Sequence, residues 1–166
     1  ISSALSVDII RTAKRRGTSV SAEATPHHLS LTDECLRDYD TNFKMCPPLR
    51  SREDVDALIE GVVDGTIEVI ATDHAPHTDT EKDMAFDSAP FGITGFETAF
   101  AVCHEVLVRS GRIPLSRLVK LMSTRPAEIL GVDAGTLRTG SPADFALLDE
   151  NAQWVYSQTK SRSANS

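Results

Sequence analysis

The sequence predicts an α/β chain built from βα units around a parallel sheet, followed by a β-rich tail. Three observations carry this. Apolar strand-like runs alternate with amphipathic helices. One run, Ile67 to Thr72 (IEVIAT), is mostly apolar, as expected of a strand buried on both faces. Beyond Gly131 the helical periodicity stops, and short runs separated by turn residues take over.

Taken in order, residues 3–16 form the first helix. Leu5, Ile9 and Ala13 recur every four residues, Ser2 or Ser3 caps the start and Gly17 ends it. Val20, Ala22 and Ala24 alternate as a short strand. Ser51 caps a second helix with Glu53 and Asp54 in its first turn, where carboxylates favour the helix dipole. Its Val55, Leu58, Ile59 and Val62 make one apolar face, and Asp64-Gly65 breaks it. The buried strand follows. A third helix over 96–110 turns Phe96, Ala99, Phe100, Cys103 and Leu107 to one side. A shorter fourth carries Leu115, Leu118, Val119 and Met122, and Pro126 opens a last turn that closes at Gly131. In the tail, Thr136-Leu137 and Phe145–Leu148 read as strands on either side of a Gly140-Ser141-Pro142 turn. A start on a helix and only two βα strands describe part of a larger α/β structure.

The chain has 166 residues, the size of one domain, with 40% hydrophobic and 25% charged residues, which excludes a disordered chain. Its net charge of −7 argues against nucleic-acid binding and against a basic membrane-surface protein. No apolar run reaches the roughly 18 residues of a membrane span, and no export leader opens the chain. Cys35, Cys46 and Cys103 form neither a disulfide framework nor a zinc-knuckle spacing, and fit a reducing cytoplasm.

Two post-strand connections, Thr25–Arg50 and Asp73–Thr94, are longer than structureless loops in compact domains usually are. Sites in parallel α/β folds lie beyond the carboxyl ends of strands. Thr72-Asp73-His74-Ala75-Pro76-His77 is the strongest segment: three ionisable groups in six residues, directly after the buried strand. Asp73 there suits a metal ligand or proton shuttle; the competing reading is a solvated turn. His27 and His28 in Thr25-Pro26-His27-His28 point opposite ways on an extended chain, so holding one metal together is disfavoured and loop-ordering hydrogen bonds stand at least level with ligation, although four of the five histidines lie in these two segments, which favours a shared site. Lys44-Met45-Cys46-Pro47-Pro48-Leu49-Arg50 reads as a stiff connector, with no Cys–His–acid arrangement to activate Cys46. The glycines of Ala89-Pro90-Phe91-Gly92-Ile93-Thr94-Gly95 fit either close approach to a ligand or a tight turn.

The ordered segments TPHHLSLT, FKMCPPLRS, IEVIATDHAPHT, APFGITGFET and GTLRTGSPADFALLD resemble the dihydroorotase family of the amidohydrolase superfamily over nearly the whole chain. The resemblance implies the C-terminal part of a metal-dependent (β/α)8 barrel, residues 1–131, followed by part of a small β-sandwich, residues 132–166. It implies a zinc-dependent hydrolase, with one or two Zn2+ per site, interconverting (S)-dihydroorotate and N-carbamoyl-L-aspartate in pyrimidine (UMP) biosynthesis. Carried over residue by residue, Asp73 matches the metal-ligating, proton-transferring aspartate and His77 the histidine that meets the substrate carboxylate. Phe91 and Gly92 match the pair that meets the pyrimidine ring through the backbone. Cys46 stands where many members have a substrate-binding asparagine, and a thiol is a weak donor and poor acceptor. His27 and His28 are not metal ligands by this comparison. The remaining metal ligands of the family fall outside this chain, one of them directly before Ile1, so the 166 residues alone are expected to be inactive; the strand edges and apolar helix faces of a part-barrel are expected to make them self-associate by aggregation or join a complementary fragment. The resemblance also allows aspartate transcarbamoylase as a partner. Two alternatives are an allantoinase or hydantoinase, and a non-catalytic subunit scaffolding a transcarbamoylase.

Overall fold

In a computed structural model the chain is described over residues 1–157 and 161–163. Helix α1 spans Ala4–Arg15, capped by the Ser3 hydroxyl accepting from the Ser6 amide. Asp54 of a later helix also accepts from the Ala4 amide at 2.7 Å, so α1 starts on a carboxylate from its neighbour. Strand β1 (Glu23–Ala24) pairs in parallel with β2 (Val69–Ile70), in the register Glu23 to Val69 and Ala24 to Ile70. Between them run α2 (Pro26–Ser30) and α3 (Arg52–Asp64), the latter capped by Ser51 and ended by a left-handed Gly65. After β2 come α4 (Asp79–Lys82) and α5 (Ala99–Cys103), which continues as a π-type segment through Arg109. Then α6 (Leu115–Val119) passes through a π-type segment, Lys120–Thr124, into α7 (Arg125–Leu130).

The parallel pair and the α3 crossover bear out the βα reading. The core gathers Val7, Leu29, Val55, Leu58, Val62, Ile67, Ile70, Leu107 and Leu118 between α1, α3 and the long C-terminal helices. Burial of this kind stabilises by roughly 25 cal/mol per Å2 of apolar surface. Glu68, just before β2, ties two outer helices to the sheet, pairing with Lys14 of α1 and Arg125 of α7. Desolvation opposes ionisation of Glu68, but these two cations outweigh it and hold the carboxyl below its ordinary value.

Four expectations are corrected. On α1 the regular Leu5–Ile9 stripe faces outward, 69% and 59% exposed, and Val7 is the residue that packs. The third helix starts at Ala99, not at 96, because Phe96 is drawn out to stack on His74. Pro126 does not open a separate turn. It sits in the first turn of α7, continuous with the preceding helical residues, where its missing N–H costs least. Neither Thr136-Leu137 nor Phe145–Leu148 forms a strand, and no residue over 131–157 is buried. A strand exists only within a ladder, and no partner strand faces these residues among those described. Part of the expected 132–166 unit, residues 158–160 and 164–166, lies outside the described residues.

Candidate functional site

The two long post-strand segments meet beyond the carboxyl ends of β1 and β2. The first is not a plain loop. Thr25 caps α2 and Pro26 occupies its first turn. His27 and His28 therefore lie on a helix, not on the extended chain expected, and their ring centroids are 4.5 Å apart. His28 Nε2 donates to the Pro47 carbonyl at 3.0 Å, since a carbonyl only accepts. Its Nδ1 then accepts from the Thr25 hydroxyl at 2.7 Å. His28 is thus the loop-ordering histidine foreseen, and it fixes the turn that carries Cys46. Burial lowers its pKa. Burial, with the neighbouring His28, pushes His27 down to about 4, so His27 is neutral. Its Nε2 is buried with no hydrogen-bond partner among the described residues.

The second segment begins with Asp73 in a left-handed conformation, φ +49°. Non-glycine residues rarely adopt it, Asp and Asn most easily, and such strain clusters at functional positions. His74 turns back into the structure. Its Nδ1 accepts from the Gly95 amide at 2.9 Å, and its ring stacks on Phe96 at 4.0 Å. His74 also bridges to Ile93, whose carbonyl accepts from the Ala75 amide at 3.0 Å. The Asp73–His77 run is therefore zipped to the Phe91–Gly95 run. Gly92 (φ +142°) makes this possible: a Cβ there would lie 2.7 Å from both the Ala75 Cβ and its carbonyl oxygen. Neither reading of these glycines describes the contact: what Gly92 approaches closely is the chain itself, at Ala75.

A cleft of about 90 Å3 is lined by His27, Met45, Cys46, Asp73, Ala75, Phe91, Gly92 and Ile93. It brings together Asp73, Cys46, Phe91 and Gly92, with Asp73 and Cys46 exposed to it. His77 is not in its lining. It lines an adjacent cleft of about 320 Å3 with Asn42, Lys82 and Thr94. His77 Nε2 donates to the Phe91 carbonyl at 2.9 Å, and its Nδ1 lies 3.8 Å from Glu81. Cys103 plays no part in the site. It is fully buried in the core, and burial pushes its thiol up to about 12, so it stays protonated.

Sequence reasoning passed over two lysines. Lys44 Nζ donates to the carbonyls of Asp87 and Ala89 at 3.0 and 2.6 Å and lies 4.6 Å from the Phe91 ring centroid. Lys82 Nζ donates to Thr41, Pro90 and Gly92 carbonyls. The available signal was a lysine between Phe43 and Met45, an apolar setting where a charged side chain needs buried partners.

No group of three His, Cys, Asp or Glu side chains close enough to hold a metal occurs among the described residues. Asp73 offers one carboxylate to such a site, so its chemistry fits one ligand of a metal centre and not a whole one.

The model of the Amidohydrolase family matches residues 2–163, and the chain belongs to that family. Within it, a dihydroorotase of Thermoanaerobacter sp. (strain X514) is 51% identical over 163 residues, 98% of this chain and 38% of that protein. A dihydroorotase of Bacillus caldolyticus is 54% identical over 149 residues, 90% of this chain and 35% of that protein. The chain thus spans well under half the length of these relatives. Among solved structures, L-hydantoinase (dihydropyrimidinase) from Arthrobacter aurescens superimposes with a TM-score of 0.80 at 32% identity, covering 87% of this chain and 33% of that one. Dihydropyrimidinase from Brevibacillus agri NCHU1002 gives 0.81 at 28% identity, with the same shares covered.

Proposed function

We infer that this chain is the part of a dihydroorotase that supplies the proton-transferring aspartate and the loop over the substrate ring. The observation that carries this is the cleft in which Asp73, at the end of a buried strand, faces Cys46 and the Phe91–Gly92 loop. The dihydroorotase relatives, above half identical in sequence, support the substrate.

Opening the ring of dihydroorotate requires water to add to an amide carbonyl and the ring nitrogen to leave with a proton. The Asp73 carboxylate takes the proton from the attacking water and returns it to the departing nitrogen, and the reverse transfers close the ring. Its strained backbone turns the carboxylate out of the strand end into the cleft. Phe91 and Gly92 meet the ring through their backbone. His77 holds the Phe91 carbonyl, and a contact with the substrate carboxylate exchanges that bond for one to the ligand. Cys46 replaces an amide contact with a weaker thiol. When bound by Asp73 and donors from outside this chain, zinc supplies a water of lowered pKa and a polarised carbonyl.

The same reading assigns residues 1–131 to the last two βα units of a (β/α)8 barrel and 132–166 to the edge of a β-sandwich. It makes the substrate a small anion, with a transcarbamoylase or a second copy as the protein partner and the cytoplasm as the location. Among the described residues no helix is long and apolar enough to cross a membrane.

Hydantoin hydrolysis is the second reading, favoured by the solved hydantoinase structures. A full-length protein carrying this segment, assayed on dihydroorotate, allantoin and hydantoin, separates them. We expect kcat/KM at least a hundredfold higher on dihydroorotate. Higher kcat/KM on hydantoin or allantoin overturns the assignment.

A further inference from the structure

We propose that Lys82, with Lys44 beside it, is a positioning residue whose ammonium sets the Phe91–Gly92 loop against the Asp73 cleft. The substrate consequence rests on the dihydroorotase reading; the clamp itself does not. Lys82 Nζ lies 3.0 Å from the Thr41 carbonyl, 3.1 Å from Pro90 and 2.8 Å from Gly92. An ammonium has three N–H donors, and each finds a carbonyl. A neutral amine has two donors and would leave one of these carbonyls without its bond. The Thr41 hydroxyl donates back to the Lys82 carbonyl, which locks the lysine to the first post-strand segment.

Lys44 completes the device. Its ammonium holds the Asp87 and Ala89 carbonyls, and its own carbonyl accepts from the Gly92 amide at 3.0 Å. The carbonyls of residues 87, 89, 90 and 92 are thereby held by two cations. No carboxylate forms a direct ion pair with either lysine among the described residues, so main-chain carbonyls are the groups that hold the two ammonium groups, with Asp40 acting on Lys82 from further off. Burial, and then the nearby Lys44, lower the Lys82 pKa, and the Asp40 charge opposes them only in part. Since His77 holds the Phe91 carbonyl, the loop hangs from three cationic or donor side chains at successive points. None of them is in the lining of the Asp73 cleft.

The test uses a full-length protein carrying this segment, with K82M, which keeps the reach and removes the charge, and K82A, which leaves room for n-propylammonium. Two readouts are taken: amide hydrogen exchange over residues 86–95, and kcat and KM for dihydroorotate. We expect exchange over 87–92 to quicken at least tenfold in both variants, with β1 and β2 unchanged. KM should rise at least tenfold while kcat falls less than threefold. Added n-propylammonium should recover at least fivefold of the loss in K82A and none in K82M. A role in bulk stability alone would quicken exchange throughout and show no such rescue. Unchanged exchange over 87–92, or a KM within twofold of an active parent, overturns the proposal. A parent that does not turn over dihydroorotate refutes the substrate assignment instead, and exchange with its rescue by n-propylammonium still decides the clamp.

Discussion

The two segments that follow the two strands differ in how they are held. The one after β1 is anchored from within: His27, His28, Lys44, Met45 and Leu49 are buried, and α2 and two short 3-10 turns give it its own local bonds. The one after β2 is half exposed, opens on a left-handed aspartate, and takes its shape from contacts with other segments. The first behaves as scaffold, and the second carries the residues proposed to react. Precision in the second is borrowed from the first, through Lys44 and through the Thr41–Lys82 exchange of hydrogen bonds. The Asp73 carboxylate thus stays exposed while the rigidity of its segment is supplied from the neighbouring one.

Three substitutions in a full-length protein carrying this segment sharpen or break that contrast. The largest effect belongs to Asp73→Asn. It keeps shape and backbone preference and removes the proton acceptor, so kcat should fall by about 10²–10⁴ with the unfolding midpoint nearly unchanged. A loss under tenfold would remove Asp73 from proton transfer. Next is Gly92→Ala, whose methyl carbon would sit 2.7 Å from the Ala75 backbone oxygen. Strain of this type costs about 1–3 kcal/mol, and the two runs should separate locally. KM should rise with it, and a variant equal to the parent in both stability and KM would show that the zipped loops are not needed. The mildest catalytic effect belongs to the scaffold. His28→Ala removes the donor to the Pro47 carbonyl and the ring acceptor of the Thr25 hydroxyl proton, while the Thr25 oxygen still accepts from the backbone amide at 28, so stability should drop by about 1–3 kcal/mol while kcat changes little. The same histidine supplies a pH signature. His27 and His28 have lowered pKa values in the fold, so the unfolded chain binds more protons below its ordinary histidine pKa of about 6.5. Stability is therefore full above that pH and declines as pH falls from there toward about 4, where His27 itself protonates. His28→Ala should flatten part of this slope, and an unaltered slope would reject the assignment.

Much of the frame was legible because the signals are local. Ser3, Ser51, Gly65 and Gly131 mark helix ends through capping and left-handed backbone, which need no knowledge of the rest of the fold. The IEVIAT run and the chemistry after it were legible for the same reason. What escaped was relational. Leu5 and Ile9 have the right period for a core face, but which face packs depends on the neighbours present, and here Val7 wins. The helix at Pro26–Ser30 was hidden because the residues after the strand read as extended chain, when Thr25-Pro26 is also a helix start. Phe145–Leu148 has strand composition without a ladder to join. The cleft's Asp73, Cys46, Phe91 and Gly92 were named in advance and do converge, whereas His77 reaches it only through the Phe91 carbonyl. Lys44 and Lys82 left little trace because an ammonium that binds main-chain carbonyls imposes no residue type on its partners.

The left-handed backbone at Asp73 also constrains how such a protein drifts over generations. Most replacements at this position alter chain geometry as well as chemistry, because a β-branched or bulky side chain resists φ near +49°. Glycine and asparagine are the exceptions, tolerating the conformation while lacking an ionisable group, and asparagine alone also keeps the side chain's shape. A lineage that abandons catalysis and keeps the architecture therefore has one easy step open to it at this residue. On the proposed proton-transfer role, aspartate or asparagine at position 73 becomes the character by which working copies and idle ones of this fold would be told apart.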